Sequence, residues 1–342
     1  MEPIILPRLS DKKPLVSVIS ITYNQEPYIR DCLEGFLMQK TDFPVEIIIH
    51  DDASTDHTAD IIREYYEKRP DLFHVIIERE NCFSKHRPIM APLYEMAQGK
   101  YIANCEGDDY WTDPLKLQKQ FDFMEKNPDY IMCSGCTQIY IQNSSTYYSN
   151  QFFQKSRDLT AEAFLLNGPT LTCTSFFKKE TIIDYLAWRK GSSCSRIPIG
   201  DTPLFLYFTT HGKCHYENEI VSCYRIHNSS TTHGAFETRL RFLRNNTHIK
   251  LKLNREFQIG FPEKRIINCY VYTALKEMIK RGCKDRNIIG KLKRVHKHWS
   301  PCITDEFVFF LYSLIVSHPF LYVAFRKGVL SFKKTVLKLK RI

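Results

Sequence analysis

Short apolar runs alternate with segments of helical spacing between residues 15 and 105, and this alternation is what most restricts the fold. Leu15–Ile21, Val45–Ile49, Phe73–Ile77 and Tyr101–Cys105 read as buried strands. Between them, Tyr28, Ile29, Cys32, Leu33, Phe36 and Leu37 recur at helical spacing. Ile61, Ile62, Tyr65 and Tyr66 form a second stripe that stops before Pro70, and Pro92–Ala97 predicts a short helix ending near Gly99. Strands alternating with helices predict a mostly parallel, Rossmann-like α/β sheet covered on both faces. In open sheets of this kind ligands bind beyond the carboxyl ends of the strands. Thr22-Tyr23-Asn24, Asp51-Asp52 and Glu106–Asp109 all follow strand ends, which places three polar clusters along one edge.

The densest of these clusters is Glu106-Gly107-Asp108-Asp109. Carboxylates this close repel one another unless a cation sits between them. Their oxygens are hard ligands suited to Mg²⁺ or Mn²⁺, ions that keep several waters and bind nucleotide phosphates. A solvated acidic turn followed by a helix cap is the alternative reading of the segment taken alone.

Asp113-Pro114 opens another helix, with Leu117, Phe121 and Met124 on its core side and an end near Asn127-Pro128. Residues 130–230 mix strand-like runs (Ile131–Cys133, Thr137–Ile141, Ser175–Phe177, Ile220–Tyr224) with helices expected near 160–166, 180–188 and 201–211. Beyond Ala235 the chain reads as helical and basic. The organisation is therefore an N-terminal extension (1–13), an α/β domain (14–234, halves 14–113 and 114–234) and a helical C-terminal region (235–342).

The chain of 342 residues carries a net charge of +10, with the excess toward the C-terminus. The excess lies in an apolar, lysine-rich tail rather than an aromatic-interleaved groove, which argues against nucleic acid as a partner. Twelve cysteines are scattered, mostly within apolar runs, and no basic start with an apolar core follows Met1-Glu2-Pro3. A reducing, cytoplasmic setting is the expectation, and the sequons at Asn143, Asn228 and Asn245 then carry no sugar. Cys133-Ser-Gly-Cys136 has metal or redox spacing, but no second pair completes a zinc site, and buried thiols are expected.

Taken in order, a longer set of motifs resembles a family-2 glycosyltransferase with the GT-A fold. Its pieces are Val16–Asn24, Glu26 with Tyr28-Ile29, Asp51–Asp56, Gly99–Ile102, Glu106–Asp109 with Trp111 and Pro114, Gly200-Asp201, and Tyr224–His227. The resemblance spans residues 14–230 and implies a nucleotide-sugar donor, most readily a UDP-sugar, with a divalent cation, Mn²⁺ or Mg²⁺, as cofactor. By the same resemblance Thr22, Tyr23, Glu26, Asp52 and Asp108 bind the nucleotide. Asp52 would accept the uracil N–H, and Tyr23 would stack on the base. Asp108 and Asp109 occupy the Asp-x-Asp metal motif, one on the ion and the other on the ribose or a metal-bound water. Glu106 stands where Asp is commoner.

The family's single protein base corresponds to Asp201, although Gly200 replaces the Glu usually found before it. Asp201 also reads as a helix N-cap. Arg225 and His227 match an Arg-x-His signature near the diphosphate, with a structural Arg paired to an acid as the alternative. An Ala-Arg-Asn element common in relatives is absent. Ser84-Lys85-His86-Arg87-Pro88 stands in its place, and Arg87 or Lys85 is the candidate substitute for the donor-contacting Arg.

The acceptor implied is a glycan or lipid-linked oligosaccharide of a bacterial surface polysaccharide. Phe307–Phe325, interrupted by His318-Pro319 and followed by seven Lys and Arg residues from Arg326 to Arg341, suggests adsorption to an anionic membrane surface, with a helical cap on the α/β domain or a true membrane span as the alternatives. The enzyme would then be peripheral on the inner face of the cytoplasmic membrane. Two other functions compete: a catalytically inactive, nucleotide-sugar-binding relative, and a nucleotidyltransferase. The second would show a Gly-rich phosphate loop, which Thr22–Glu26 is not.

Overall fold

The computed structural model describes residues 2–150, 152–195, 200–228, 230, 236–281 and 286–299. They form two compact units that divide between Asn228 and Ser229. The first runs β1 (Ile4–Leu6), β2 (Val16–Thr22), α1 (Ile29–Leu37), β3 (Val45–Asp51), α2 (Thr58–Lys68), β4 (Phe73–Ile77), α3 (Met90–Met96) and β5 (Tyr101–Asn104). It continues with β6 (Tyr110–Trp111), α4 (Lys116–Lys126), β7 (Tyr130–Ile141), β8 (Thr146–Asn150), β9 (Arg157–Leu159), α5 (Ala161–Leu166), β10 (Phe176–Lys178), α6 (Lys179–Gly191), α7 (Asp201–His211) and β11 (Lys213–Ile226).

The strands make one sheet in the order β1-β4-β3-β2-β5-β10-β7-β11-β6, with β8 on β7 and β9 on β11. β4, β3, β2 and β5 are parallel, as the alternation predicts. β10 runs antiparallel between β5 and β7, so the sheet is mixed. Residues 1–13 contribute more than an extension, because Ile4–Leu6 pairs antiparallel with β4 as an edge strand.

Two expected strands, 131–133 and 137–141, are a single strand β7. The intervening Gly135 does not break it. A Cβ there would lie 2.8 Å from the Val221 side chain, so the glycine marks a close approach to β11. β11 starts seven residues before the expected Ile220, through polar positions that its apolar pattern could not announce.

Val16, Val18, Ile47, Ile49, Val75 and Ile77 point to one face and pack on Ile29, Cys32, Leu33 and Phe36 of α1 and Ile61, Ile62 and Tyr65 of α2. Each such aliphatic side chain contributes about 1.5–3 kcal/mol on full burial. Trp111 anchors the strand that follows the acidic cluster. Its Nε1–H donates to the Cys173 carbonyl at 2.9 Å, and its ring meets Phe36 edge-on at 4.8 Å. The Lys116 ammonium sits 4.3 Å from the centre of the same ring and donates to Gln120 at 2.7 Å. Burial pushes that ammonium down to about 8.

Cys133 and Cys136 are both buried, and neither is in a disulfide. They face opposite sides of β7, Cys133 toward the Gln120 carbonyl and Cys136 toward the Tyr216 hydroxyl. They are not a metal pair.

The second unit comprises α8 (Phe236–Glu256), α9 (Glu263–Lys280) and α10 (Arg286–Trp299). Ile267, Val271, Ala274, Leu275, Met278 and Leu292 form its core. Asn254 fixes the α8–α9 turn by donating to the Phe261 carbonyl and accepting from the Phe261 N–H. No helix among the described residues is long and apolar enough to cross a membrane. Phe307–Phe325 and the basic residues after it lie outside the described residues.

Candidate active site

The polar loops after β2 and β3 are laced together. Asn24 accepts from the Thr55 N–H at 2.7 Å, and the Asn24 N–H donates to the Ser54 hydroxyl at 2.8 Å. The Glu26 N–H donates to Asp56 while the Glu26 carboxylate accepts from the His57 N–H, both at 3.1 Å. Asp56 also accepts from the Thr58 N–H, so it serves the start of α2. Asn24 and Ala53 hold φ of 52° and 61°, the left-handed region where Ala carries strain.

This lacing changes the parts given to several sequence-predicted residues. Thr22 is buried, with its hydroxyl turned to Asp51 at 3.5 Å. One oxygen of Glu26 accepts the His57 N–H, which ties the side chain to the start of α2. Tyr23 is 47% exposed, so its ring is open to a planar ligand. Asp52 is buried and accepts backbone N–H bonds from Cys82 (2.5 Å) and Phe83 (3.1 Å). Its two oxygens have acceptor capacity beyond these two bonds. Arg87 sits on that same loop. It donates to the Glu80 carbonyl and lies 4.0 Å from Glu78.

Glu106, Asp108 and Asp109 follow β5. Gly107 brings them against the end of β2, where a Cβ would fall 2.4 Å from Gln25 Oε1 and 3.0 Å from Thr22. Gly107→Ala is expected to lower stability by about 1–3 kcal/mol through overpacking. A chemical denaturation midpoint measures this, and an unchanged midpoint would mean the loop yields freely.

Asp108 is half-buried, and its carboxylate is 2.9 Å from His227 Nε2. Asp109 is buried and accepts the Arg225 N–H at 2.8 Å. Its carboxyl lies well above the ordinary range because of burial first, then repulsion from Asp108 and Glu106. Burial, Asp201 and Asp108 push the Glu106 carboxyl up to about 7, opposed by the Thr172 hydroxyl at 2.6 Å. The donor set fits a hard divalent ion: carboxylate oxygens with one imidazole, in a region whose acids resist ionising beside each other.

Arg225 is spoken for within the protein. Its Nε donates to the Asp108 carbonyl (2.9 Å), one terminal nitrogen to Gln142 (2.9 Å) and the other to Asp31 (2.6 Å). Its guanidinium also lies within 5.5 Å of the ring centres of Tyr28, Tyr110 and Tyr140. The side chain therefore holds the Asp108 carbonyl, and the Arg225 backbone N–H holds Asp109, so the guanidinium does not stand free for a diphosphate. His227 packs against Tyr28 with ring centres 4.5 Å apart and planes tilted by 39°. The sequence reading missed Asp31, Tyr28's ring contacts, Gln142 and Thr172, whose roles arise from elements far apart in the chain.

Asp201 is the first residue of α7. Gly200 occupies the cap position, and no side-chain cap bond forms there. The carboxylate is thus not spent on capping. Asp201 is open to solvent yet ringed by enough protein to raise its carboxyl above the usual range, and it is near enough to Glu106 to raise that group too.

Residues 17–182 match the family described as Glycosyl transferase family 2. The chain carries a family-2 glycosyltransferase domain. It is 35% identical over 237 residues to the uncharacterized protein Rv1520 of Mycobacterium tuberculosis, covering 68% of this chain and 65% of that protein. The chain thus matches just under two-thirds of that relative's length. It is 28% identical over 267 residues to Escherichia coli WfaP, a UDP-Glc:α-D-GlcNAc-diphosphoundecaprenol β-1,3-glucosyltransferase, covering 78% of this chain and 95% of that one. Among solved structures, residues 1–349 of Staphylococcus aureus TarS in complex with UDP-GlcNAc share the fold, with a TM-score of 0.50 and 16% identity over 92% of each chain. The fold is GT-A.

Proposed function

We propose that this chain is an inverting, metal-dependent glycosyltransferase. It moves a sugar from a nucleotide-sugar to a glycan or lipid-linked acceptor in cell-surface polysaccharide biosynthesis. The observation that carries this reading is the convergence of Glu106, Asp108, Asp109 and His227 on one sheet edge, with Asp201 close enough to perturb Glu106. A UDP-linked donor is the form supported by the name of WfaP and by the buried carboxylate of Asp52 beyond β3.

Asp108 and His227 would hold the divalent ion, with Asp109 and Glu106 adding negative charge behind them. When bound, the ion neutralises charge that develops on the departing diphosphate. Arg225 keeps Asp108 and Asp109 at fixed positions through a carbonyl and an N–H. Tyr23 offers its open face to the base. Asp201 accepts the proton of the acceptor hydroxyl as that oxygen attacks the anomeric carbon. Inversion needs only this one protein base, whereas glycosidases need two carboxyl groups.

Calorimetric titration with UDP, GDP, CDP and ADP, with and without Mn²⁺, tests the donor assignment. The expected result is tightest binding of UDP, dependent on Mn²⁺. Preference for another nucleotide would overturn the assignment to UDP. Binding of none would favour an inactive relative. Attachment to an anionic membrane surface through residues 305–342 is part of the same proposal, and it fails if the whole chain stays in the supernatant with anionic vesicles.

A further inference from the structure

A second set of metal-ligating side chains lies outside the acidic cluster. In the parallel pairing of β3 and β4, His50 stands opposite Ile76. Side chains alternate along a strand, so His50, Asp52 and Glu78 share one face. Asp52 then folds the following loop back onto that face by accepting the Cys82 and Phe83 N–H groups, and Asn81 donates to the Asp52 carbonyl at 2.9 Å. This brings the Cys82 thiol to the His50–Glu78 pair. One ligand atom from each of His50, Glu78 and Cys82 falls within 4.8 Å of the others. His50 and Cys82 are buried and Glu78 half-buried.

The polar groups of this cluster are underused. His50 Nε2 faces Glu78 at 3.3 Å, and its Nδ1 is buried with no hydrogen-bond partner. A buried nitrogen without a partner has lost its water and gained nothing in return. Arg87 approaches only the other oxygen of Glu78, at 4.0 Å. Burial, Glu78 and Asp52 push the Cys82 thiol up to about 11. Those carboxylates oppose a thiolate, and a cation bound among the three groups reverses their effect.

We propose that His50, Glu78 and Cys82 form a site for a zinc-class divalent ion, separate from Asp108, Asp109 and His227, that pins the loop carrying Arg87 to the ends of β3 and β4. The chemistry selects this class. One thiolate, one imidazole and one carboxylate suit Zn²⁺, leaving a fourth position for water, whereas Mg²⁺ and Mn²⁺ prefer oxygen sites. Binding releases the Cys82 proton to solvent as the sulfur takes the ion. The loop that replaces the Ala-Arg-Asn element would then be fixed by a metal.

Cobalt(II) serves as a spectroscopic probe for such a site. The full chain, reduced and freed of metal with a chelator, is titrated with Co²⁺ and followed by absorption. The expected result is a near-ultraviolet thiolate-to-cobalt charge-transfer band that saturates at one equivalent. It should persist in Asp108→Ala, disappear in Cys82→Ser, and need at least about tenfold more Co²⁺ in His50→Ala. Cys82→Ser leaves the backbone N–H that Asp52 holds, so the loop keeps its anchor, and circular dichroism checks that the variant folds. Three results would overturn the site: no charge-transfer band, a band undiminished in Cys82→Ser, or a cobalt spectrum without thiolate character that vanishes in Asp108→Ala.

Discussion

Asp201→Asn is expected to lower kcat about 10²–10⁴-fold, the range for loss of a general base, while UDP affinity stays close to wild type. Asn keeps the size of the side chain at the first position of α7, and the cap position belongs to Gly200, so the helix start is preserved. What is lost, in the proposed mechanism, is the group that takes the acceptor's proton. Desolvation raises the folded-state pKa of Asp201 above its ordinary value of 3.8. An acceptor proton can be taken only by the ionised form. Turnover should therefore fall as pH drops through this raised pKa, an acid limb above the usual aspartate range. The same shift makes the protonated carboxyl the form favoured by folding. Its contribution to stability is full below the unfolded value and is lost as pH rises through the folded value. Stability and activity then move in opposite directions with pH at this residue. Weak UDP binding together with residual turnover and an unchanged acid limb would instead make Asp201 a structural residue.

Asp108 and Asp109 are expected to part company when each is changed to Ala. Asp108 is half-buried and faces His227, whereas Asp109 is buried beneath it and holds the Arg225 N–H. Asp108→Ala should remove the Mn²⁺ dependence of nucleotide binding. Turnover should fall about 10²–10⁴-fold, the scale of several kcal/mol of charge stabilisation from a bound ion. Its effect on stability should be small, because the group is partly solvated and its loss relieves repulsion on Asp109 and Glu106. Asp109→Ala leaves a buried N–H without its acceptor and should cost about 1–3 kcal/mol. Calorimetry with and without Mn²⁺, beside thermal denaturation of both variants, measures the contrast. If Asp109→Ala loses the metal response while Asp108→Ala keeps it, the ligand assignment is reversed.

The parallel part of the sheet was legible because each of its strands is buried on both faces and bounded by turn residues. Phe73–Ile77 shows the same limits in the sequence as in the structure. β6, β8 and β9 were not legible, since two- to five-residue strands on an outer edge carry no period of their own. The acidic cluster could be placed from its position after β5. The commitments of its neighbours could not. Arg225 reads as a phosphate ligand until Asp31, 194 residues away in sequence, is found on its guanidinium. Glu26 reads as a nucleoside contact, and its tie to the His57 N–H could not be foreseen. Such pairings are decided by tertiary packing, which residue type and spacing do not encode.

The proposed mechanism has one base and one displacement at the anomeric carbon. The most direct measurement is NMR of the freshly formed glycosidic product, made with a UDP-sugar of known α configuration and an acceptor that supports turnover. Inversion to the β anomer by the wild-type chain, with product formed about 10²–10⁴-fold more slowly by Asp201→Asn, is the predicted result. Retention of the α configuration would contradict the account, because a single attack assisted by Asp201 cannot preserve it.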